Sequence, residues 1–504
     1  MATRFRDLSR AHTGRVFHCA WRPASSGVET KRTGSPDFAT ASEDGTAVLW
    51  DTTRLAGNCR VVTLRDHSRG AEVLRVAFGR EWFATGGADG TANLYKLRDL
   101  DSSLDSAAGA KVSVRLEHEH RNVPKGGQLY GLLFPQVPAS DIVGATTGGG
   151  GSARAGAGGG GGETALLTCM EDTVFAWDLG ASGGPSVVAS FTFAPALSRV
   201  PFGGTARNPA GSNLVFDISS LPSSQPGCES LFAAALSDGT AAVVDLRTGT
   251  AVARVGSHAR HCTCVAARGL GLREGEGGGE GGGEGEREGE REGGREGGRK
   301  GKGGGRGEGG CEGERGDKVG VEITTSGAGG DILVHDLRFS SISSSSASSS
   351  NTKLRCRIST AHQRSLYGCL WLPSADNTLL SWSADGTVRL WDAAAKEGER
   401  KTSTALRPDP SCTSIYFCAA SADGRLAIVG EAEVEEQEEE EEEEEEEDGF
   451  DERSPFAIPT EWSVAKQAAA SQGEENKHGK KRKRPCKRKR GAVYIGRIDG
   501  VMKR

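Results

Sequence analysis

The sequence predicts an all-β chain that closes into a single ring of seven four-stranded sheets. Three observations carry that expectation: one hairpin phrase recurs along the chain, short alternating strands flank most of its copies, and whatever fails to fit the repeat is low in complexity. The length agrees, since units of about 40 residues, seven of them plus insertions, take up the whole chain.

The recurring phrase is an alternating apolar stretch, a small-residue turn with Asp-Gly, and a β-branched stretch that closes on an aromatic residue. It stands as FATASEDGTAVLWD at Phe38 to Asp51, WFATGGADGTANLYKL at Trp82 to Leu97 and TLLSWSADGTVRLWD at Thr378 to Asp392. Looser copies begin at Ala165, Ser230 and Glu322. Glycine takes positive φ without a Cβ clash, so Asp-Gly between alternating runs reads as a tight antiparallel hairpin.

Two further strands complete each unit. A histidine followed by a strand precedes most hairpins, as with His12 and VFHCAW, His67 and VLRVAF, His258 and CTCVAA, and His362 and LYGCLW. A further short alternating strand in turn precedes each histidine, at Arg60, Val112, Ala251 and Leu354. A seventh unit is pieced together from SIYFCAAS at Ser414, RLAIVG at Arg425 and AVYIGRI at Ala492. Its missing outer strand is TRFRDLS at Thr3 to Ser9, so the N-terminal strand closes the ring and removes an aggregation-prone edge.

These residues resemble the WD-repeat family, whose blades carry a Gly-His pair, an Asp-Gly turn and a terminal Trp-Asp; the literal ending stands at Trp50-Asp51, Trp177-Asp178 and Trp391-Asp392. The resemblance implies a seven-bladed WD-repeat β-propeller. It also implies a buried network of histidine, hydroxyl, aspartate and tryptophan: His12, Thr40, Asp44 and Trp50 in the first blade, His362, Ser381, Asp385 and Trp391 in the sixth. A Ser-His-Asp triad is the competing reading. Repetition across blades favours a scaffold, because one active site needs one set. The second blade departs with Tyr95, the fourth with Val244, and the fifth with Gly329 and His335 at the aspartate and tryptophan positions.

Composition narrows the chemistry. The 12 cysteines lack the paired spacings of zinc sites or of a disulfide framework. Met1 to Leu8 has no apolar signal core and no run of about 18 apolar residues occurs, which points to a reducing compartment and no membrane span. The best metal candidate is His258, His261, Cys262 and Cys264, with Cys311 nearby; alternation along a strand puts the first two of these cysteines on one side, as core residues beside a structural histidine. No glycine run ends in Gly-Lys-Ser/Thr or opens a helix after a strand, so neither a phosphate nor a dinucleotide cofactor is expected. We expect no enzyme, no metal and no cofactor.

Four insertions interrupt the ring, at about 148–162, 269–316, 340–350 and 431–490, all with the composition of disorder. Long loops are tolerated because each doubling of length costs only about 0.6 kcal/mol. The Gly/Glu/Arg tract mixes charge signs, which makes direct nucleic-acid binding a poor expectation. Glutamate dominates from Glu431 to Asp448. The basic run that follows, Lys480, Lys481, Arg482, Lys483, Arg484, Lys487, Arg488, Lys489 and Arg490, has the form of a nuclear localisation signal read by importin.

The expected function is a non-enzymatic nuclear scaffold, part of a larger complex that handles chromatin or ribosome assembly. Its acidic loop would contact histones or basic ribosomal proteins, in the nucleus or nucleolus, with the cytoplasm as the alternative. The runner-up is a substrate receptor of a cullin-RING ubiquitin ligase. The resemblance implies adaptor docking through a Trp-Asp-x-Arg ending, and Arg247 and Arg338 have the Asp-x-Arg spacing without the tryptophan.

Overall fold

In a computed structural model the described residues form 28 strands in seven four-stranded antiparallel sheets and are nearly all β. The residues described are 5–23, 35–53, 59–102, 112–117, 127–142, 165–181, 184–193, 213–222, 228–270, 319–339, 351–373, 375, 377–394, 404–435 and 487–497. The insertions expected at 148–162 and 340–350, and most of those at 269–316 and 431–490, lie outside them. No helix among the described residues is long and apolar enough to cross a membrane.

Each blade runs from an innermost strand outward. Blade 1 holds β2 (Val16–Trp21), β3 (Phe38–Ser42), β4 (Ala47–Trp50) and β5 (Arg60–Leu64); blade 2 holds β6 (Val73–Phe78), β7 (Trp82–Gly87), β8 (Thr91–Lys96) and β9 (Val114–Glu117). Blade 3 holds β10 (Leu129–Leu133), β11 (Ala165–Met170), β12 (Thr173–Asp178) and β13 (Ser186–Thr192); blade 4 holds β14 (Val215–Ser220), β15 (Leu231–Leu236), β16 (Ala241–Asp245) and β17 (Thr250–Val255). Blade 5 holds β18 (Cys262–Gly269), β19 (Val319–Gly327), β20 (Ile332–Phe339) and β21 (Asn351–Ile358); blade 6 holds β22 (Leu366–Trp371), β23 (Thr378–Ser383), β24 (Val388–Asp392) and β25 (Thr404–Leu406). The Asp-Gly turns form as glycine chemistry demands, with φ of 77° at Gly45, 73° at Gly90, 84° at Gly239 and 72° at Gly386.

Blade 7 is assembled from both ends of the propeller: β26 (Cys412–Ala420), β27 (Arg425–Glu435), β28 (Lys487–Arg497) and outermost β1 (Arg6–Asp7). Arg6 pairs with Ile495 and Asp7 with Tyr494, and the Leu8 N–H donates to the Val493 carbonyl at 2.8 Å. Apolar side chains fix the short strand on both sides. Phe5 packs on the cluster of Ile415, Ile428 and Tyr494, and Leu8 on that of Val16, Val429 and Val493.

By contact density the chain divides into a propeller unit, residues 1–432 with 490–504, and a second unit, residues 433–489. Of the second, only the strand ends 433–435 and 487–489 are described. Two boundaries therefore differ from those that composition suggests. Glu431, the first glutamate of the acidic run, is buried in β27, where it accepts the Tyr416 hydroxyl at 3.0 Å and the Thr413 hydroxyl at 3.1 Å. The last four residues of the basic run, Lys487 to Arg490, open β28. Charge composition hides strand pairing, since a backbone ladder needs only N–H and C=O groups.

Removing the chain through Leu8 is expected to open the edge of β28. We expect a lower melting temperature in calorimetry and concentration-dependent association in light scattering, with an unchanged monomer and melting curve counting against ring closure by β1.

Candidate functional site

Two groups of residues converge in this ring: a buried network inside the blades and a rim of aromatic side chains around one mouth of the central channel.

In blade 1, Trp50 Nε1 donates to Thr40 Oγ1 at 3.0 Å, that hydroxyl meets His12 Nε2 at 2.8 Å, and His12 Nδ1 faces Asp44 Oδ2 at 3.3 Å. Blade 6 repeats it, with Trp391 Nε1 to Ser381 Oγ at 2.8 Å, Ser381 Oγ to His362 Nε2 at 2.8 Å, and His362 Nδ1 to Asp385 Oδ2 at 3.1 Å. An acceptor-only carboxylate on Nδ1 assigns the ring proton there, so Nε2 accepts from the hydroxyl. Burial alone would push Asp44 and Asp385 up. The histidine and the threonine hydroxyl of the turn outweigh it and hold both carboxyls well below the usual range. Ser381 is 0% exposed, so its hydroxyl meets no substrate in this fold.

The other blades vary the theme. In blade 2, His67 bonds Thr85 at 2.9 Å and Asp89 at 3.1 Å, while the Tyr95 hydroxyl donates to Asp66 at 2.8 Å. Blade 3 keeps Trp177 Nε1 on Thr168 Oγ1 at 2.9 Å. In blade 4, Asn213 Nδ2 donates to Asp238 at 3.0 Å where other blades have a histidine, and Val244 sits in an apolar cluster with Phe232 and Ala234. Blade 5 corrects the expected role of Gly329: His258 bonds Thr325 at 2.8 Å and faces Asp331 at 3.1 Å. The aspartate lies two residues later because the turn is Ala-Gly-Gly-Asp. His335 occupies the tryptophan place, and its buried Nδ1 makes no hydrogen bond.

The cysteine geometry also differs from simple alternation. A bulge between Cys262 and Cys264 pairs them with Gly327 and Ser326, which turns them to different neighbours. Cys262 packs with Leu231 and Val265, Cys264 with Leu380 and Trp382. His258 is committed to Thr325 and Asp331, and His261 lies against the Phe216 ring at 5.4 Å. Among the described residues no group of three or more potential ligands surrounds a metal position.

The exposed residues of the sequence reading stand apart from these networks. Arg247 is exposed just past β16, its N–H on Asp245 Oδ1 at 3.0 Å, and Arg338 is turned onto Asp336 at 3.0 Å. Lys480 to Arg484 lie outside the described residues.

The mouth was not legible at the outset. Every innermost strand carries a bulge at a matching place, with extra residues Phe17, Leu74, Tyr130, Phe216, Thr263, Tyr367 and Tyr416, and β26 has a further one at Thr413. Five of the seven are aromatic, and those five are half-buried rather than sealed in the core. Their rings touch from blade to blade: Tyr367 to Tyr416 at 5.5 Å, Tyr416 to Phe17 at 5.8 Å, and Tyr130 to Phe216 at 6.3 Å. The repeated aromatic second residue in VFH, LYG, VFD, LYG and IYF is the signal that would have found them. The same end of the ring bears the turn aspartates, since Ser42 pairs with Val16. At that end too Ala432 lies opposite Cys412 and Gly491 against Gly14 and His12.

Two measurements follow from the network. Ser381→Ala orphans buried groups of both His362 and Trp391 and is expected to cost about 2–4 kcal/mol in urea unfolding, while Ser381→Thr, which keeps the hydroxyl, loses under about 1 kcal/mol. Burial, with His258 adding to it, pushes the His335 imidazole down to about 4, whereas the unfolded chain takes that proton near about 6.5. Between these values the unfolded state binds more protons, so stability falls as pH falls. The stability difference between wild type and His335→Phe, measured from pH 7 to pH 4, is expected to grow in favour of the variant across that window; a pH-independent difference contradicts the assignment.

The family model described as WD domain, G-beta repeat, matches residues 5–51 and 353–392. Comparison with curated proteins finds no match. The first matched segment runs from β1 through β4 and the second from within β21 through β24, so both fall on the first three strands of the blades with the fullest networks. With seven four-stranded blades closed into one ring, the chain belongs to the WD-repeat β-propeller family.

Proposed function

We propose that this protein is a non-enzymatic nuclear scaffold, a subunit of a larger complex that handles chromatin or ribosome-assembly partners, and that partner proteins dock on the mouth with the aromatic rim. Proteins are the partner class that a propeller of this family implies. The rim is the observation that carries the mouth. Half-buried aromatic side chains on a rigid frame supply large contact area at low entropic cost, and such residues dominate the energetics of protein interfaces. The charged segment supports the rest of the reading: its glutamates suit histones or basic ribosomal proteins, and its lysines and arginines suit importin.

The test compares tagged full-length protein with two variants by affinity purification from nuclear extract and mass spectrometry. In one, residues 436–486 are replaced by a short Gly-Ser turn that joins β27 to β28; in the other, Phe17 and Tyr367 become alanine. Loss of histones or ribosomal proteins with the first, and of further partners at least about tenfold with the second, is the expected result. Identical partner sets in all three, or a wholly cytoplasmic protein, overturn the reading. A cullin adaptor that is lost with Arg247→Ala would install the ligase-receptor reading instead.

A further inference from the structure

Beneath the rim, the residue after each bulge faces the channel axis. In blades 1, 2, 4, 5 and 7 this residue is His18, Arg75, Asp217, Cys264 and Phe417. In blades 3 and 6 it is glycine. The place beside Gly368 is filled by the Trp382 indole, while a Cβ on Gly131 would meet Cys169 Sγ at 2.6 Å and Ile218 Cγ1 at 2.9 Å. Blade 3 thus contributes Gly131 and Leu132, and no polar side chain, to the lining shared by Arg75 of blade 2 and Asp217 of blade 4. A cavity of about 200 Å³ lies here, lined by His18, Arg75, Asp217, Ser219, Cys264 and Phe417 among others.

The hydrogen bonding in this cavity is incomplete in a particular way. Arg75 reaches the Phe216 carbonyl at 3.3 Å and that of Leu74 at 3.2 Å, both long, and its buried Nε donates to nothing. Asp217 takes the Val265 N–H at 3.2 Å, and the Cys264 thiol and the Ile218 N–H also bond its carboxyl. Burial pushes its carboxyl up and the Arg75 charge pulls it back, yet the two form no ion pair. His18 is kept uncharged by burial and by Arg75, and its Nδ1 faces the Val76 N–H at 3.5 Å, which leaves the ring proton on Nε2. A cation and an anion that share a cavity without pairing give it little net charge. Either kind of ion entering would lose its hydration and meet one like charge, whereas a neutral dipole satisfies both groups.

We propose that the cavity receives a primary carboxamide, whose carbonyl oxygen accepts from the Arg75 guanidinium and whose NH₂ donates to the Asp217 carboxylate. Two sources share this chemistry: a free amide such as glutamine, and an asparagine or glutamine side chain of a partner that enters through the mouth. The second source rests on the docking face proposed above.

The experiment uses ¹⁵N-labelled full-length protein and the Arg75 Nε–H signal, identified by its absence from Arg75→Lys. Propionamide, propionate and propylammonium have nearly the same shape and differ in charge. Propionamide is expected to shift the signal saturably, with the two ions at least about tenfold weaker, and Asp217→Asn to weaken propionamide while strengthening propionate. No saturable shift with propionamide, equal binding of all three, or an ion that binds best overturns the proposal. Free glutamine is then set against Ac-Gly-Gln-Gly-N-methylamide. Tighter binding of the peptide, weakened by Phe17→Ala, assigns the amide to a partner. Tighter binding of glutamine assigns a small ligand. Peptide binding indifferent to Phe17→Ala sinks the docking face alone, because propionamide tests the cavity without it.

Discussion

Everything in this molecule depends on the closing of blade 7. Six blades are local affairs, each made from one continuous stretch of chain, but a ring of blades has fixed radius only when the last one is complete. Here the last outer strand is two residues long, Arg6 and Asp7, and its few backbone bonds would be a weak clasp by themselves. Phe5 and Leu8 strengthen it by packing into different clusters, one toward blade 6 and one toward blade 1. The seam is held a second time at the opposite end of the blades. Arg425 of blade 7 pairs with Asp37 of blade 1 at 2.9 Å and lies over the Trp21 ring at 4.4 Å, and Trp21 donates to the Ala419 carbonyl at 3.0 Å.

Within that closed frame the blades tolerate unequal chemistry. The hydroxyl at Thr40, Thr85, Thr325 or Ser381 is the common element, because it meets the histidine from one side and leaves the other open. What occupies the open side varies from Trp50 and Trp391 to Tyr95, which reaches on to Asp66, and to His335, which brings a buried imidazole with an unpaired nitrogen. Blade 4 dispenses with a histidine, and Asn213 ties the strand to Asp238 instead. Such substitutions survive because the ring distributes the load. A blade with a weak network is still clamped between two neighbours.

The hairpins were legible in the sequence because their turns are local: Asp44-Gly45 and Asp385-Gly386 announce themselves by residue type, and the alternation on either side follows. The N-terminal closure was legible too, from an outer strand missing in one place and spare in another. The innermost strands of blades 3 and 4 were harder, since no histidine introduces Leu129 or Val215. The bulges escaped because each adds one residue and breaks the period of two on which strand reading rests, which is also why Cys262 and Cys264 part company. In blade 5 a turn lengthened by glycines moved the aspartate from position 329 to Asp331. In blade 7 the run of glutamates concealed a strand that continues past Glu431, because a repeated charge carries no visible alternation.

The bulge is also what separates holding the fold from recognising a ligand. At the start of every inner strand one residue is squeezed out toward the mouth and the next is turned to the channel axis, whatever the side chains are. The networks deeper in the blades restrict residue type tightly, since each member has a buried partner to satisfy. The two bulge positions carry no such demand, so the ring can place phenylalanine, tyrosine or threonine at the rim, and arginine, aspartate, histidine, cysteine or glycine below it, on one invariant backbone. Seven near-copies of a structural unit thereby yield a mouth in which no two adjacent blades carry the same pair of residues at these positions. Asymmetry of that kind is what a ring of repeats needs in order to bind one partner in one orientation, and here it is supplied without altering a residue on which closure depends.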